Sequence, residues 1–332
     1  MTTASTTTTA PRTARPRPTE GTPRRPRRGL SALRGTQGFR RLVQVSVALV
    51  VLVVVVGREL AVAANASGGT VTSGEALCPF GGIETIGTFL ATGGYVAHVH
   101  ASNLVLAIGA LLVAFFARGA FCGWLCPFGF LQDLVAGLSH TLQSRIRPVG
   151  RAVRWLERRA APLARLDRPL RLLKYVVLAW AVLGAAWFGV MVFRDVDPWN
   201  ALLEVTKVTL GLGTIVLIAT LVASFFVERA WCRYACPLGA ATGIVSRFSP
   251  VRLERVEAAC SSCGVCSTAC PMGLEVATAT RIVSQDCIGC LECVEACPRA
   301  GALDLRAGLP VLPTITFLPR RGADTASAGA DI

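Results

Sequence analysis

Eight cysteines between Cys260 and Cys297 repeat one spacing twice: Cys260, Cys263, Cys266 and Cys270 before Pro271, then Cys287, Cys290, Cys293 and Cys297 before Pro298. Each run reads C-x2-C-x2-C-x3-C-P. Iron takes soft thiolate ligands, and three cysteines on one tight loop reach three corners of an iron–sulfur cube. The fourth corner needs a sulfur from further along the chain, and in tandem runs of this spacing the fourth cysteine of each run serves the other cube. The expected ligand sets are Cys260, Cys263, Cys266 and Cys297 for one [4Fe–4S] cluster, and Cys287, Cys290, Cys293 and Cys270 for the second. Gly264 and Gly289, beside ligands, let the backbone bend round the inorganic core and leave amides free for its sulfurs. A zinc ribbon or a disulfide framework calls for looser spacing, so neither is preferred.

Four more cysteines form a second constellation. FCGWLCPFG holds Cys122 and Cys126, and WCRYACPLG holds Cys232 and Cys236, each pair reading C-x3-C-P. Sliding the chain by 110 residues lays Phe115, Phe116, Ala120, Cys122, Cys126, Pro127 and Gly129 on Phe225, Phe226, Ala230, Cys232, Cys236, Pro237 and Gly239. That is an internal duplication. Residues i and i+4 share a helical face, so Cys122 is expected over Cys126 and Cys232 over Cys236, with each helix ending near its second cysteine because of the following proline. A helix C-terminus is electronegative and opposes a bare thiolate. These thiols should therefore stay protonated, or share charge with a metal or cluster, unless Arg118, Arg229 or Arg233 compensates. The bland alternative is that they are small apolar residues in membrane helices.

The elements that carry these residues follow from composition. Of 332 residues, 52% are hydrophobic and 16% charged, with a formal net charge of +14. Leu42–Val56, Asn103–Phe116, Tyr175–Phe193 and Val208–Val227 carry no charge. The last two approach the ~20 residues that cross a bilayer; the first gains length by snorkelling of Arg40 and Arg41, and the second by extension through Tyr95. Ten arginines precede the first run, and nine arginines plus Lys174 occupy the Arg145–Lys174 connection, whereas the other connections are acidic on balance. Positive-inside counting puts both termini, that connection and the tandem cysteine domain in the cytoplasm, where thiols stay reduced. The basic charge belongs to topology and to attraction for membrane lipid, and no nucleic-acid-binding motif accompanies it.

The expected fold is a mostly α membrane protein, with four transmembrane helices as two parallel-repeat pairs and a small α+β tandem-cluster domain of the bacterial ferredoxin kind. Residues 1–38 read as a disordered basic cytoplasmic tail, 39–247 as the four-helix membrane domain, 248–310 as the 2[4Fe–4S] domain and 311–332 as a tail. ALDLRAGLPVLPTITFLP, after the last cysteine, is expected to add strands. Arg40–Ala66 also fits a secretory signal with small residues at Ala61, Ala63, Ala64 and Ala66, but the long basic tail favours an uncleaved anchor. On the outward side stand Cys78, His98 and His100, the histidines being either interfacial or able to take protons from a quinol or bind metal. Glu84, Asp197 and Glu204 read as solvated loop charges.

Together CPFGGIE, FCGWLCPFG, DPWNALLE, CRYACPLGA and the two cluster runs resemble the membrane-bound [4Fe–4S] proteins of the NapH and NosR type, over roughly Arg40 to Asp304. The resemblance implies electron passage between the quinone pool and a redox partner. The outward flavin domain of the NosR branch is absent from this sequence, so a flavin would come from a separate flavoprotein. The expectation is an inner-membrane, multi-pass electron carrier with two [4Fe–4S] clusters, exchanging electrons with quinone through a further metal or cluster at Cys122, Cys126, Cys232 and Cys236. Alternatives are a copper reductase using those four cysteines, and a redox-sensing membrane scaffold.

Overall fold

A computed structural model describes residues 35–63, 78–94, 101–160, 166–203, 211–299, 301–308 and 315–316. His98, His100 and Glu204, and the Tyr95 extension of the second apolar run, lie outside the described residues. So do most of the proposed tails and part of the signal-like stretch, but both tail boundaries are corrected: residues 36–38 open the first helix instead of ending a disordered segment, and Ile315–Thr316 pair into the sheet instead of belonging to a solvated tail.

The apolar half begins with α1 (Thr36–Ala63), which carries the first charge-free run. Its side chains from Leu42 to Val56 are largely exposed, Val53 at 69%. α2 (Pro79–Thr92) starts on a proline, which has no N–H to lose at a first helical position. It stops at Gly93, whose φ of 72° is the left-handed conformation glycine adopts without strain. α3 (Ala101–Ala117) follows, then a π-helical turn at Phe121–Leu125, then α4 (Pro127–Arg145). The arginine-rich connection forms α5 (Arg147–Ala160) and α6 (Asp167–Leu170). α7 (Leu173–Phe188) is the third apolar helix, followed by the short α8 (Pro198–Leu203). α9 (Leu212–Phe226), α10 (Ala230–Tyr234) and α11 (Pro237–Ser246) repeat the sequence of α3, the π-turn and α4.

Two stretches are long and apolar enough to cross a membrane, Thr36–Gly57 and Asp167–Phe188; α3 and α9 are apolar but shorter, at 17 and 15 residues. Close packing is built on small residues. Ala107, Ala110 and Ala114 on α3 and Ala181 and Ala185 on α7 are all at most 1% exposed. Side chains this small let the helix backbones approach closely. Gly82 of α2 lies so near α3 that a Cβ there would sit 2.3 Å from the Asn103 carbonyl oxygen. The duplicated halves exchange helices: α4 of the first repeat packs on α9 of the second, and α11 of the second packs on α3 of the first.

The cysteine-rich half is built on a small antiparallel sheet ordered β2-β1-β3-β4. Its strands are β1 (Val251–Arg255), β2 (Arg281–Ile282), β3 (Leu303–Ala307) and β4 (Ile315–Thr316). Leu253 pairs with Ile282 on one side and Leu305 on the other. β3 and β4 both fall in the stretch expected to extend the sheet. Two short helices, α12 (Val265–Thr268) and α13 (Glu292–Ala296), carry the third cysteine of each run. Leu253, Val276, Ile282 and Leu303 close a core that includes Cys266 and Cys293.

Candidate iron–sulfur and helix-end thiol sites

The eight cysteines of the tandem runs line two separate cavities. Cys260, Cys263, Cys266 and Cys297 line one, closed by Pro298 and Leu303. Cys270, Cys287, Cys290 and Cys293 line the other, a space of about 350 Å³ reaching the apolar half at Phe116 and Trp124. Each cavity thus takes three cysteines from one run and one from the other. Left-handed residues make the tight bends: Gly264 at φ 75° and Gly289 at φ 61° accept them freely, while Ser262 at φ 53° and Leu291 at φ 59° hold them as non-glycine residues.

The two sets differ in environment. Cys263 is exposed, and the Cys260 thiol is held below its ordinary range by the Ser262 amide and Arg255. Cys290 and Cys293 are buried, and burial pushes Cys290 up to about 12 and raises Cys293 further. A bare thiol there stays protonated, whereas positively charged iron favours the thiolate a ligand must be.

The inner set sits on the apolar half. Cys122, Met272, Ile288 and Cys290 share one buried cluster. Trp124 Nε1 donates to the Gly289 carbonyl at 3.0 Å, Arg118 Nη2 to the Ser284 carbonyl at 3.0 Å, and Gln37 Nε2 to the Cys290 carbonyl at 2.6 Å. Asp286 is clamped by Arg171 at 3.1 Å and by Lys174.

At the C-x3-C-P motifs the structure departs from the sequence expectation. α3 ends at Ala117, Arg118 turns left-handed at φ 55°, and Cys122 lies in the π-turn. Cys126 is extended, with ψ 112°, and caps the start of α4; Cys236, with ψ 111°, caps α11 in the same way. The proline does exclude helix from the residue before it, yet it also opens a new helix as its first residue. The second cysteine of each pair therefore faces an electropositive helix N-terminus, and the expected electrostatic sign is reversed. Cys236 Sγ accepts from the Gly239 amide at 3.3 Å. Proline at the first helical position was the signal that points to this.

The four thiols are brought together. Cys236 lies within electrostatic reach of Cys232, Cys122 and Cys126, and Cys122 within reach of Cys232. Two residues that the motifs do not announce support them across the repeat boundary. Gln132 on α4, fully buried, donates from Nε2 to Cys232 Sγ at 3.3 Å and accepts at Oε1 from the Trp231 amide at 3.1 Å. Thr242 on α11 lies 3.7 Å from Cys122 Sγ. The 110-residue shift that aligns the cysteines also aligns Gln132 with Thr242, so the polar position five residues after each proline was legible in the repeat.

Arg229 and Asp133 form the ionic anchor beside this site. Arg229 is fully buried; Nε and Nη2 reach the two carboxylate oxygens of Asp133 at 2.7 Å, and Nη1 reaches the Cys122 carbonyl at 2.7 Å. Arg40 adds a 2.8 Å contact to Asp133. Arg233 pairs with Asp167 at 2.6 Å. Of the three arginines expected to compensate thiolates, Arg118 serves the ferredoxin-like unit and Arg233 serves Asp167, while Arg229, although bound to Asp133, stands within electrostatic reach of Cys122, Cys126 and Cys232.

Glu84 and Asp197 are not solvated. Glu84 is 0% and Asp197 8% exposed, because both pack between α2 and the segment that follows α7. Cys78, also buried, caps α2 and donates to Asp197 Oδ2 at 3.6 Å.

Comparison with known proteins agrees with this organisation. A family model described as a 4Fe-4S binding domain matches twice, at residues 99–145 and 209–255, and one described as a 4Fe-4S dicluster domain matches residues 252–298. YccM of Escherichia coli is 32% identical over 69% of this chain, and the match spans 62% of the length of YccM. MJ0749 of Methanocaldococcus jannaschii is 31% identical over 67% of this chain and 80% of its own. The ferredoxin-type protein NapH of Haemophilus influenzae is 27% identical over 63% of this chain and 71% of its own. No solved structure matches the chain. With its duplicated 4Fe–4S segment and its dicluster segment in this order, the chain belongs to the 4Fe–4S ferredoxin-type family that includes NapH and YccM.

Proposed function

We propose that this protein is a membrane-embedded electron carrier between the quinone pool and a redox protein. Cys260, Cys263, Cys266 and Cys297 hold an outer [4Fe–4S] cluster, and Cys270, Cys287, Cys290 and Cys293 hold an inner one. Each, when bound, supplies one-electron transfer at a potential tuned by hydrogen bonds to sulfur and by solvent exposure. The observation that carries this reading is the crossed lining of the two cavities, three cysteines from one run and the fourth from the other. Burial of Cys122 against Ile288 and Cys290 supports an order running from the helix-end thiols to the inner set, then to the outer set and the partner at exposed Cys263.

Cys122, Cys126, Cys232 and Cys236 form a third redox site. The 4Fe-4S description of the family model covering each repeat favours a cluster over copper there. The provisional naming of YccM as an electron transport protein supports the general reading.

α1, α3, α7 and α9 are the four spans, and the exposed apolar side chains along all of them meet lipid. α3, at 17 residues, rises about 26 Å, close to the ~30 Å hydrocarbon core. Arginine-rich α5, with Trp155 exposed, rests on anionic headgroups, and the cluster unit and both termini are cytoplasmic. The test is anaerobic purification followed by iron and acid-labile sulfide assay and reduction by a water-soluble quinol analogue. Two cubanes require about eight of each atom per chain, and more if the helix-end thiols hold a cluster. A chain that folds without iron, or clusters that quinol does not reduce, would refute it.

A further inference from the structure

The two repeats carry the same motif, but they meet the cysteine-rich half differently. The 110-residue shift pairs Gly119 with Arg229, Gly123 with Arg233 and Trp124 with Tyr234. In the first repeat all three face the loop that carries Cys287 and Cys290. A Cβ on Gly119 would sit 2.3 Å from the Cys287 carbonyl oxygen, and one on Gly123 would sit 2.2 Å from the Ile288 carbonyl oxygen, both impossible without moving backbone. Trp124 hydrogen-bonds the Gly289 carbonyl at 3.0 Å. In the second repeat the partners are carboxylates instead: Arg229 holds Asp133, and Arg233 and Tyr234 hold Asp167, the tyrosine hydroxyl at 2.7 Å.

This contact has a consequence for the loop. The carbonyls of Cys287, Ile288, Gly289 and Cys290 all abut or accept from the membrane half. The described peptide bonds are all trans, and a trans peptide points its N–H opposite to its C=O. The amides of Ile288, Gly289, Cys290 and Leu291 are thereby turned away from those contacts, and the same four residues line the cavity of the inner cysteine set, which the first repeat also borders at Phe116, Ala120 and Trp124. Amides aimed at cluster sulfur raise the reduction potential by stabilising added negative charge.

We propose that the duplicated module has divided its labour: the π-turn of the first repeat, through Gly119, Gly123 and Trp124, is the docking port that orients the inner cluster loop and sets its potential. The second repeat, with arginines at the glycine positions, is an ionic brace. These are positioning residues. The inference rests on the inner ligand set proposed above and adds to it which repeat governs that set.

The experiment compares Gly123→Ala and the milder Trp124→Phe with Tyr234→Phe, all in the full-length, cluster-loaded protein in nanodiscs. Redox titration followed by electron paramagnetic resonance reads both clusters, the inner one identified as the signal lost in Cys290→Ser. The expected result is a lower midpoint potential for the inner cluster in Gly123→Ala and Trp124→Phe, with the outer cluster unmoved and neither moved by Tyr234→Phe. Hydrogen exchange at residues 284–290 should quicken by an order of magnitude in the first two variants and stay unchanged in the third. Full iron with no shift in either first-repeat variant, or equal shifts from Tyr234→Phe, overturns the proposal. If the wild type binds no iron, the cluster reading fails by itself, and the exchange data still decide whether the first repeat docks the loop.

Discussion

Cys78 and Asp197, 119 residues apart in sequence, meet with Sγ 3.6 Å from Oδ2 inside the apolar half. Each stands immediately before a proline that begins a helix, α2 in one case and α8 in the other, so the contact joins two corresponding corners of the duplicated architecture. Asp197 also accepts from the Trp199 amide at 3.0 Å, which leaves Cys78 as the donor to its second oxygen. Cys78→Ala should cost about 1–3 kcal/mol through the stranded buried acceptor. Cys78→Ser should recover part of it. Thermal unfolding in detergent measures both, and an alanine variant as stable as the wild type would show that the contact contributes nothing.

Gln132 and Thr242 occupy matching positions but make unequal networks. Gln132→Ala strands the Trp231 amide and the Ser224 hydroxyl as well as losing Cys232, so it should destabilise by several kcal/mol. Thr242→Val removes the long contact to Cys122 and the hydroxyl's bonds to the Leu238 and Gly239 carbonyls of its own helix, and should cost only about 1 kcal/mol. Denaturant unfolding of the pair decides whether the crossing contacts differ as their geometry says.

Asp133 joins Arg229 and Arg40 in one network with little exposure. Burial alone would raise its carboxyl, but the two guanidiniums overcome this and hold it below the ordinary 3.8. A carboxylate depressed in the fold contributes fully above its ordinary value and loses that contribution as pH falls through the depressed one. Asp133→Asn should therefore be destabilised by about 3–5 kcal/mol at neutral pH, with buried Arg229 left unbalanced. The gap to wild type should stay constant down to about pH 4 and close below it. Unfolding free energies across pH 2–7 provide the check.

The crossed ligand sets predict an exchange of effects between runs. Cys297→Ser, in the second run, should remove or alter the cluster shared with Cys260, Cys263 and Cys266, and Cys270→Ser the one shared with Cys287, Cys290 and Cys293. Each variant should lose up to about four iron atoms and one of two paramagnetic signals. Loss of the signal belonging to the mutated residue's own run would contradict the pairing.

How much of this was readable in advance depended on whether the constraint was local. Cluster spacing is local: three cysteines on one loop share a cavity whatever the rest does, and Cys260, Cys263, Cys266 and Cys297 line one cavity while Cys270, Cys287, Cys290 and Cys293 line the other. The duplication was equally plain, because a fixed shift aligned cysteine, proline and aromatic positions. What failed was the environment of single polar residues. Glu84 and Asp197 read as loop charges, yet each is buried by the segment that carries the other. Asp133 drew no reading from the sequence, because only the fold brings Arg40 and Arg229 to it from 93 and 96 residues away. The C-x3-C-P motif misled because proline's two effects, ending one helix and starting another, were not read together. His98 and His100 lie outside the described residues.

Among the thirteen cysteines Cys263 alone is exposed, at the rim of the outer cavity. An edge through which a protein partner can collect an electron is equally open to dioxygen, which needs no docking surface at all. Damage in air should begin at that rim and travel inward, so under the proposed relay the first cubane to degrade marks the end at which the redox partner docks.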